Sequence, residues 1–239
     1  MPKVWNRQPP AAGIEARTLP MALFQLDPDS IAARVRSAAD AVHLPTPGES
    51  ALRGIVGFII VSVAGFAPWP IFERWIHGRG EVELYVACTA VFIGLSGLCL
   101  HRLIIGPGSL SRFYKLFSLA FLAYAIAWVA FWMWLRGNSG VWAGLLAGNV
   151  LMGAILAFAF DAQRSMVKAI IALFVLNAIG YFAGAWTEGK LISEHRVLAM
   201  LLWGACYGAG LGSGLGIAFH ICQDRVRALL GGSGRSLES

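Results

Sequence analysis

Two stretches, Leu116–Leu135 (LFSLAFLAYAIAWVAFWMWL) and Gly137–Phe160 (GNSGVWAGLLAGNVLMGAILAFAF), follow one another with only Arg136 between them. Neither contains Asp, Glu, Lys or Arg. Each is long enough to cross about 30 Å of hydrocarbon as a helix rising ~1.5 Å per residue. Lipid offers the backbone no hydrogen-bond partner, so such a segment must bond to itself, and its glycines are tolerated in a helix. Four more charge-free windows lie around this pair: Gly54–Phe72, Leu84–His101, Ala169–Thr187 and Val197–Gln223. The 19 basic and 13 acidic residues of the 239-residue chain all fall outside the six windows. Charged residues make up only 13% and hydrophobic ones 57%, with a mean hydropathy of +0.66. A soluble domain carries about 25% charged residues. The fold class is therefore all-α: a polytopic integral membrane protein built as a bundle of six transmembrane helices.

Lysine and arginine in the flanks set the orientation. With the N-terminus inside, the inner segments hold Lys3, Arg7, Arg17, Arg34, Arg36, Arg53, Arg102, Arg112, Lys115, Arg164, Lys168, Arg225, Arg227 and Arg235. The outer loops hold Arg74, Arg79, Arg136, Lys190 and Arg196. This excess places both termini in the cytoplasm and the chain in a cell membrane, the inner membrane in a bacterium. Trp69, Trp75, Trp132, Trp134, Trp142 and Trp186 fall near the outer interface, where amphipathic rings settle. The basic residues form no run or stripe of the kind that selects nucleic acid. The partner expected first is the lipid bilayer.

Three regions follow: a cytosolic N-terminal segment at 1–52, a six-helix domain at 53–223 and a cytosolic tail at 224–239. Within the first, DPDSIAARVRSAADAVHL predicts one amphipathic helix over about 29–43. Its N-cap falls at Asp29 or Ser30, and Ile31, Val35, Ala38, Ala39 and Val42 lie on one side. That helix packs on the bundle, lies on the membrane surface or docks a partner. LPTPGES (residues 44–50), with two prolines and a glycine, reads as a linker. The final GGSGRSLES (residues 231–239) reads as a disordered tail. All four cysteines, Cys88, Cys99, Cys206 and Cys222, sit inside the windows rather than in loops where structural disulfides form.

The sixth window carries the strongest local pattern, WGACYGAGLGSGLGIAFHICQ. Gly204, Gly208, Gly212 and Gly216 recur every four residues, with Gly210 and Gly214 as a second row. Such a glycine zipper opens a shallow groove that another backbone can approach closely. Gly144 and Gly148, and Gly180 and Gly184, repeat the spacing once each. These faces pack within the chain, hold a homo-oligomer or another membrane protein together, or line a narrow path. The deepest polar groups are Asn149, Asn177 and the hydroxyls of Tyr124, Tyr181 and Tyr207; they read as interhelical hydrogen-bonding groups or as contacts along a path. Carriers coupled to ions keep a charged group at membrane depth, and none lies there.

Cys99-Leu-His101 and His220-Ile-Cys222 suggest metal or haem. Residues two apart on a helix diverge by about 200°, so one metal does not take both ligands of either pair. A haem held by His101 and His220 needs one imidazole from each helix and is the remaining cofactor candidate; the chain is otherwise expected to need none. Gly94-Leu-Ser96-Gly97 resembles the G-x-S-G around the serine of rhomboid-type intramembrane proteases over those four residues. That family carries its serine on the fourth core helix, whereas Ser96 is on the second. His220, the candidate base, lies about half a leaflet from Ser96. No convergent acid, base and nucleophile share one depth, so an enzyme is not the expected class. The sequence favours a passive channel or facilitator for a small neutral or weakly polar solute, the alternative being a non-catalytic scaffold or accessory subunit.

Overall fold

The structure is a computed structural model that describes residues 24–38, 43–68 and 81–235. The α-helices bounded within them are α1 (Pro28–Ser37), α2 (Pro47–Phe66), α3 (Glu81–Leu100), α4 (Ser109–Leu135), α5 (Gly137–Ala159), α6 (Met166–Leu191), α7 (Arg196–Cys222) and α8 (Asp224–Arg235). No strand occurs among the described residues. Six of the helices, α2 to α7, are long and apolar enough to cross a membrane. Their exposed faces are broadly apolar, as at Ile126, Ile171 and Ile179, which suits contact with lipid tails.

Local chemistry moves several boundaries from where hydropathy places them. The first spanning helix begins at Pro47, inside the stretch read as a linker. Thr46 caps it: its Oγ1 accepts from Glu49 N–H at 3.2 Å while Glu49 Oε2 accepts from Thr46 N–H at 2.8 Å. Pro47 occupies the first turn, where its missing N–H costs nothing. Helix α1 is capped by Asp27, whose Oδ1 accepts from Ser30 N–H at 2.9 Å, rather than by Asp29 or Ser30. It runs Pro28–Ser37, shorter than the expected 29–43. Residues 39–42, which include Ala39 and Val42 of the expected apolar face, lie outside the described residues. Residues 224–235, within the expected tail, form α8, which takes in residues 231–235 of the stretch expected to be disordered. Arg136 and Gly137, at φ 52° and 53°, turn the chain directly from α4 into α5. Residues 137–140 are thus already the first turn of α5.

Each spanning helix packs on the next in sequence, and α7 closes the ring on α2. The most extensive contacts are those of α7 with α6 and with α2. At the end where the ring begins and finishes, α1 and α8 pack against each other. Ile31, Val35, Leu103, Ile104, Ile105 and Val226 form part of one buried cluster there. Gly106, at φ +92°, brings the connection between α3 and α4 under Val35, which a methyl group at Gly106 would meet at 2.9 Å. We refer to this as the capped end. Trp132, Trp134, Trp142 and Trp186 are exposed at the opposite end; Trp69 and Trp75 lie outside the described residues.

Candidate functional site

The two glycine rows of α7 face different neighbours. A methyl group at Gly208 would stand 2.8 Å from the Phe58 carbonyl oxygen, and one at Gly204 3.2 Å from the Phe66 ring. At Gly212 and Gly216 it would fall on the carbonyl oxygens of Gly54 and Ser50. This row therefore meets α2 backbone to backbone. A methyl group at Gly210 would stand 2.6 Å from Gly180 Cα of α6, and one at Gly214 3.1 Å from Leu173 Cα of the same helix. In the same way Gly144 and Gly148 of α5 face Trp128 and Tyr124 of α4, and Gly184 faces Trp203. Close backbone approach of this kind gains dispersion contacts that lipid does not replace. It also fixes where the larger side chains of α4 and α7 end up.

Those side chains surround a cavity inside the ring. Its deeper part, about 300 Å³, is lined by Phe66, Phe92, Phe121, Trp128, Tyr181 and Trp203, with Tyr124 and Tyr207. A second part of about 410 Å³ shares Phe66, Phe92, Phe121, Ala125, Tyr181 and Trp203 and continues past Thr89 and Met200 to Glu188. The two parts share these six wall residues, and their lining runs from Glu188, near the end opposite the cap, to Tyr207 at mid-bundle. Tyr207 lies eleven residues into α7, roughly 16 Å down at ~1.5 Å per residue. The rings hold each other edge to face: Phe66 meets Trp203 at 4.7 Å between centroids and Phe92 at 5.3 Å, while Trp203 stacks on Tyr207 at 5.4 Å. Such pairs stabilise beyond their buried area, by about 0.5–1.5 kcal/mol each.

The polar groups read from sequence form one network beside the deeper part of this cavity, which Tyr124 and Tyr207 line and Asn149 and Asn177 do not. Asn177 Nδ2 donates to Tyr124 Oη at 3.0 Å and to Asn149 Oδ1 at 3.5 Å. Asn149 Nδ2 donates to the Leu145 carbonyl at 2.7 Å, and the Tyr207 hydroxyl donates to Tyr124 Oη at 3.3 Å. Both asparagines are fully buried, and Asn177 Oδ1 has no hydrogen-bond partner. Tyr181, the third tyrosine of the set, is in the cavity wall. Towards the cap the interior is filled. Phe113, Phe117 and Phe219 stack at 5.2 and 5.8 Å, and Phe58 meets Phe117 at 6.3 Å.

The histidine and serine candidates lie apart from this cavity. His101, just past the end of α3, has its Nδ1 3.0 Å from the Gly97 carbonyl of that helix. His220 Nδ1 is 3.4 Å from Ser50 Oγ, so the hydroxyl beside it is not that of Ser96, which is fully buried and has no hydrogen-bond partner. No group of three or more His, Cys, Asp or Glu side chains suited to a metal occurs among the described residues. Asp161 pairs with Arg225 at 3.1 Å and Asp224 with Arg227 at 2.9 Å, near the cap.

The aromatic walls went unnoticed in the sequence. Their signal was present on α4, where Phe113, Phe117, Phe121, Tyr124 and Trp128 recur at spacings of three and four and so share one face. Trp203 and Tyr207 repeat it on α7. No family model, no curated protein and no solved structure matches the chain.

Proposed function

We propose that this chain is a passive facilitator for a small neutral or weakly polar solute. The observation that carries the reading is the cavity itself, whose lining runs from Glu188 near one end of the spanning helices to Tyr124 and Tyr207 at mid-bundle, with no charged residue in its deeper part. Aromatic walls exclude hydrated ions, and Tyr124, Tyr181 and Tyr207 give a neutral solute a weakly polar lining. Passage then requires the Phe113–Phe117–Phe219 stack to part. With the cap in the cytoplasm, as the lysine and arginine asymmetry suggests, the cavity faces outward.

The scaffold alternative drew on the glycine faces of α7 and on α1 as docking surfaces. The glycine rows meet α2 and α6 within the chain, and Ile31 and Val35 of α1 are buried with the α3–α4 connection and α8. The facilitator reading therefore has the better support.

Proteoliposome swelling with urea, acetamide and glycerol, each neutral, tests it. At least one should enter measurably faster than in protein-free liposomes. Ala125→Trp, which fills both parts of the cavity from α4, should return the rate to the protein-free value. Equal rates with and without protein for all three solutes would overturn the reading.

A further inference from the structure

The rings that wall the cavity are not parallel. Trp203 stands nearly perpendicular to Phe66, at 82° and 4.7 Å between centroids, and to Tyr181, at 80° and 5.7 Å. Phe92 meets Phe66 at 79° and 5.3 Å. Rings set at right angles offer π-faces in more than one direction, which is how aromatic side chains box a cation. One acidic residue completes the lining. Tyr181, Ala185 and Glu188 follow at spacings of four and three on α6, so they share one face, and all three line the outer part. Glu188 is half-buried, and no hydrogen bond or ion pair holds its carboxylate among the described residues. No basic residue lines either part of the cavity. A carboxylate so placed, away from bulk water and without a counter-charge, attracts a cation.

We propose that the cavity is a binding site for an organic ammonium ion, of the quaternary type with an apolar substituent, held between Glu188 and the box of rings. The site goes beyond the facilitator reading, since it uses the same walls but needs no flux. An inorganic cation is strongly hydrated and loses that water against aromatic walls. An alkylated ammonium spreads its charge over its methyl groups and presents apolar surface to Phe66, Tyr181 and Trp203. Glu188 is seven residues further along α6 than Tyr181, about 10 Å nearer the open end. The charged head therefore takes the outer part and the substituent the deeper part, whose wall has no charged residue. With no second counter-charge there, the ion is held rather than passed.

Equilibrium dialysis of radiolabelled phenyltrimethylammonium against the full chain in nanodiscs of zwitterionic lipid, with empty nanodiscs as background, tests the assignment. Binding should saturate at one ion per chain. tert-Butylbenzene, the neutral isostere with carbon in place of nitrogen, should compete at least tenfold less well than the unlabelled ion. That comparison uses the unaltered chain, so it stands whether or not a variant folds. Glu188→Gln should weaken binding at least fivefold. Glu194→Gln, which removes an exposed charge outside the cavity lining, should leave it unchanged. Ala125→Trp, from within the wall of both parts, should abolish it. Equal competition by tert-butylbenzene would overturn the assignment and leave a merely apolar cavity. The same affinity in Glu188→Gln as in Glu194→Gln would overturn it as well, because the carboxylate in the lining would then have no part in binding. Swelling with a neutral solute but no saturable binding removes the ammonium site and leaves the facilitator. Binding without flux of any solute does the reverse.

Discussion

Gly212→Leu should abolish recovery of a folded monodisperse protein from detergent extracts. The reason is steric and reciprocal. A methyl group at Gly212 falls on the Gly54 carbonyl oxygen, and one at Gly54 falls on that of Gly212. The obstacle in each case is main chain, which no rotamer change removes. Leucine adds three more carbons, so α2 and α7 must separate along one of the two most extensive contacts of the ring. Overpacking a dense interior costs about 1–3 kcal/mol where side chains give way, and more where backbones must move. Gly208→Leu meets the Phe58 carbonyl and should behave alike. Gly94→Ala is the control, since a methyl group there meets nothing within 4 Å. That variant should elute and melt as the parent does, or slightly better, because alanine favours the helix by about 1 kcal/mol. Size-exclusion profiles of the three variants decide it, and a normal peak for Gly212→Leu would refute the packing account.

Gln223→Leu should be the second most damaging change, at about 2–4 kcal/mol. Gln223 is the single residue between α7 and α8, and it is 1% exposed. Its Oε1 accepts from Ile105 N–H at 2.8 Å, and its Nε2 donates to the carbonyls of Leu103 at 2.8 Å and Phe219 at 3.0 Å. One side chain thus fastens the α3–α4 connection to the end of α7, under α1. Leucine has similar volume and no polar atom, so it leaves the Ile105 N–H and the Leu103 carbonyl buried without this partner. The loss should appear as a lower thermal midpoint and as protease cleavage near residues 103–108. An unchanged midpoint would show that water replaces the amide.

These two sites differ in how visible they were. Six spans follow from hydropathy alone, because charge is excluded from lipid whatever the tertiary packing, and six helices of that length and composition are present. Glycine spacing marked where backbones meet, yet spacing does not name the partner; only the ring closure sets α2 on one row and α6 on the other. Asn149, Asn177, Tyr124 and Tyr207 were legible as the deepest polar groups, but not as one network, since four different helices supply them. Gln223 looked like the last residue of a window because its partners on the α3–α4 connection are about 120 positions away. Boundaries failed where capping outweighed composition. Thr46, Pro47 and Glu49 form an N-terminal signature that a proline-and-glycine reading takes for a linker.

Cysteine accessibility tests the central claim, a cavity open from one end and shut at mid-bundle. In a cysteine-free background, Ala125→Cys, Ala185→Cys and Ala120→Cys are labelled in sealed vesicles of each orientation with a small, membrane-impermeant thiosulfonate. Ala185 and Ala125 line the cavity, and Ala120 is buried beside the phenylalanine stack. The account predicts labelling at positions 185 and 125 from the face opposite α1 and α8, none from the capped face, and none at position 120 from either. Protection of the Ala125→Cys variant from both faces, or its labelling from the capped face, would contradict it.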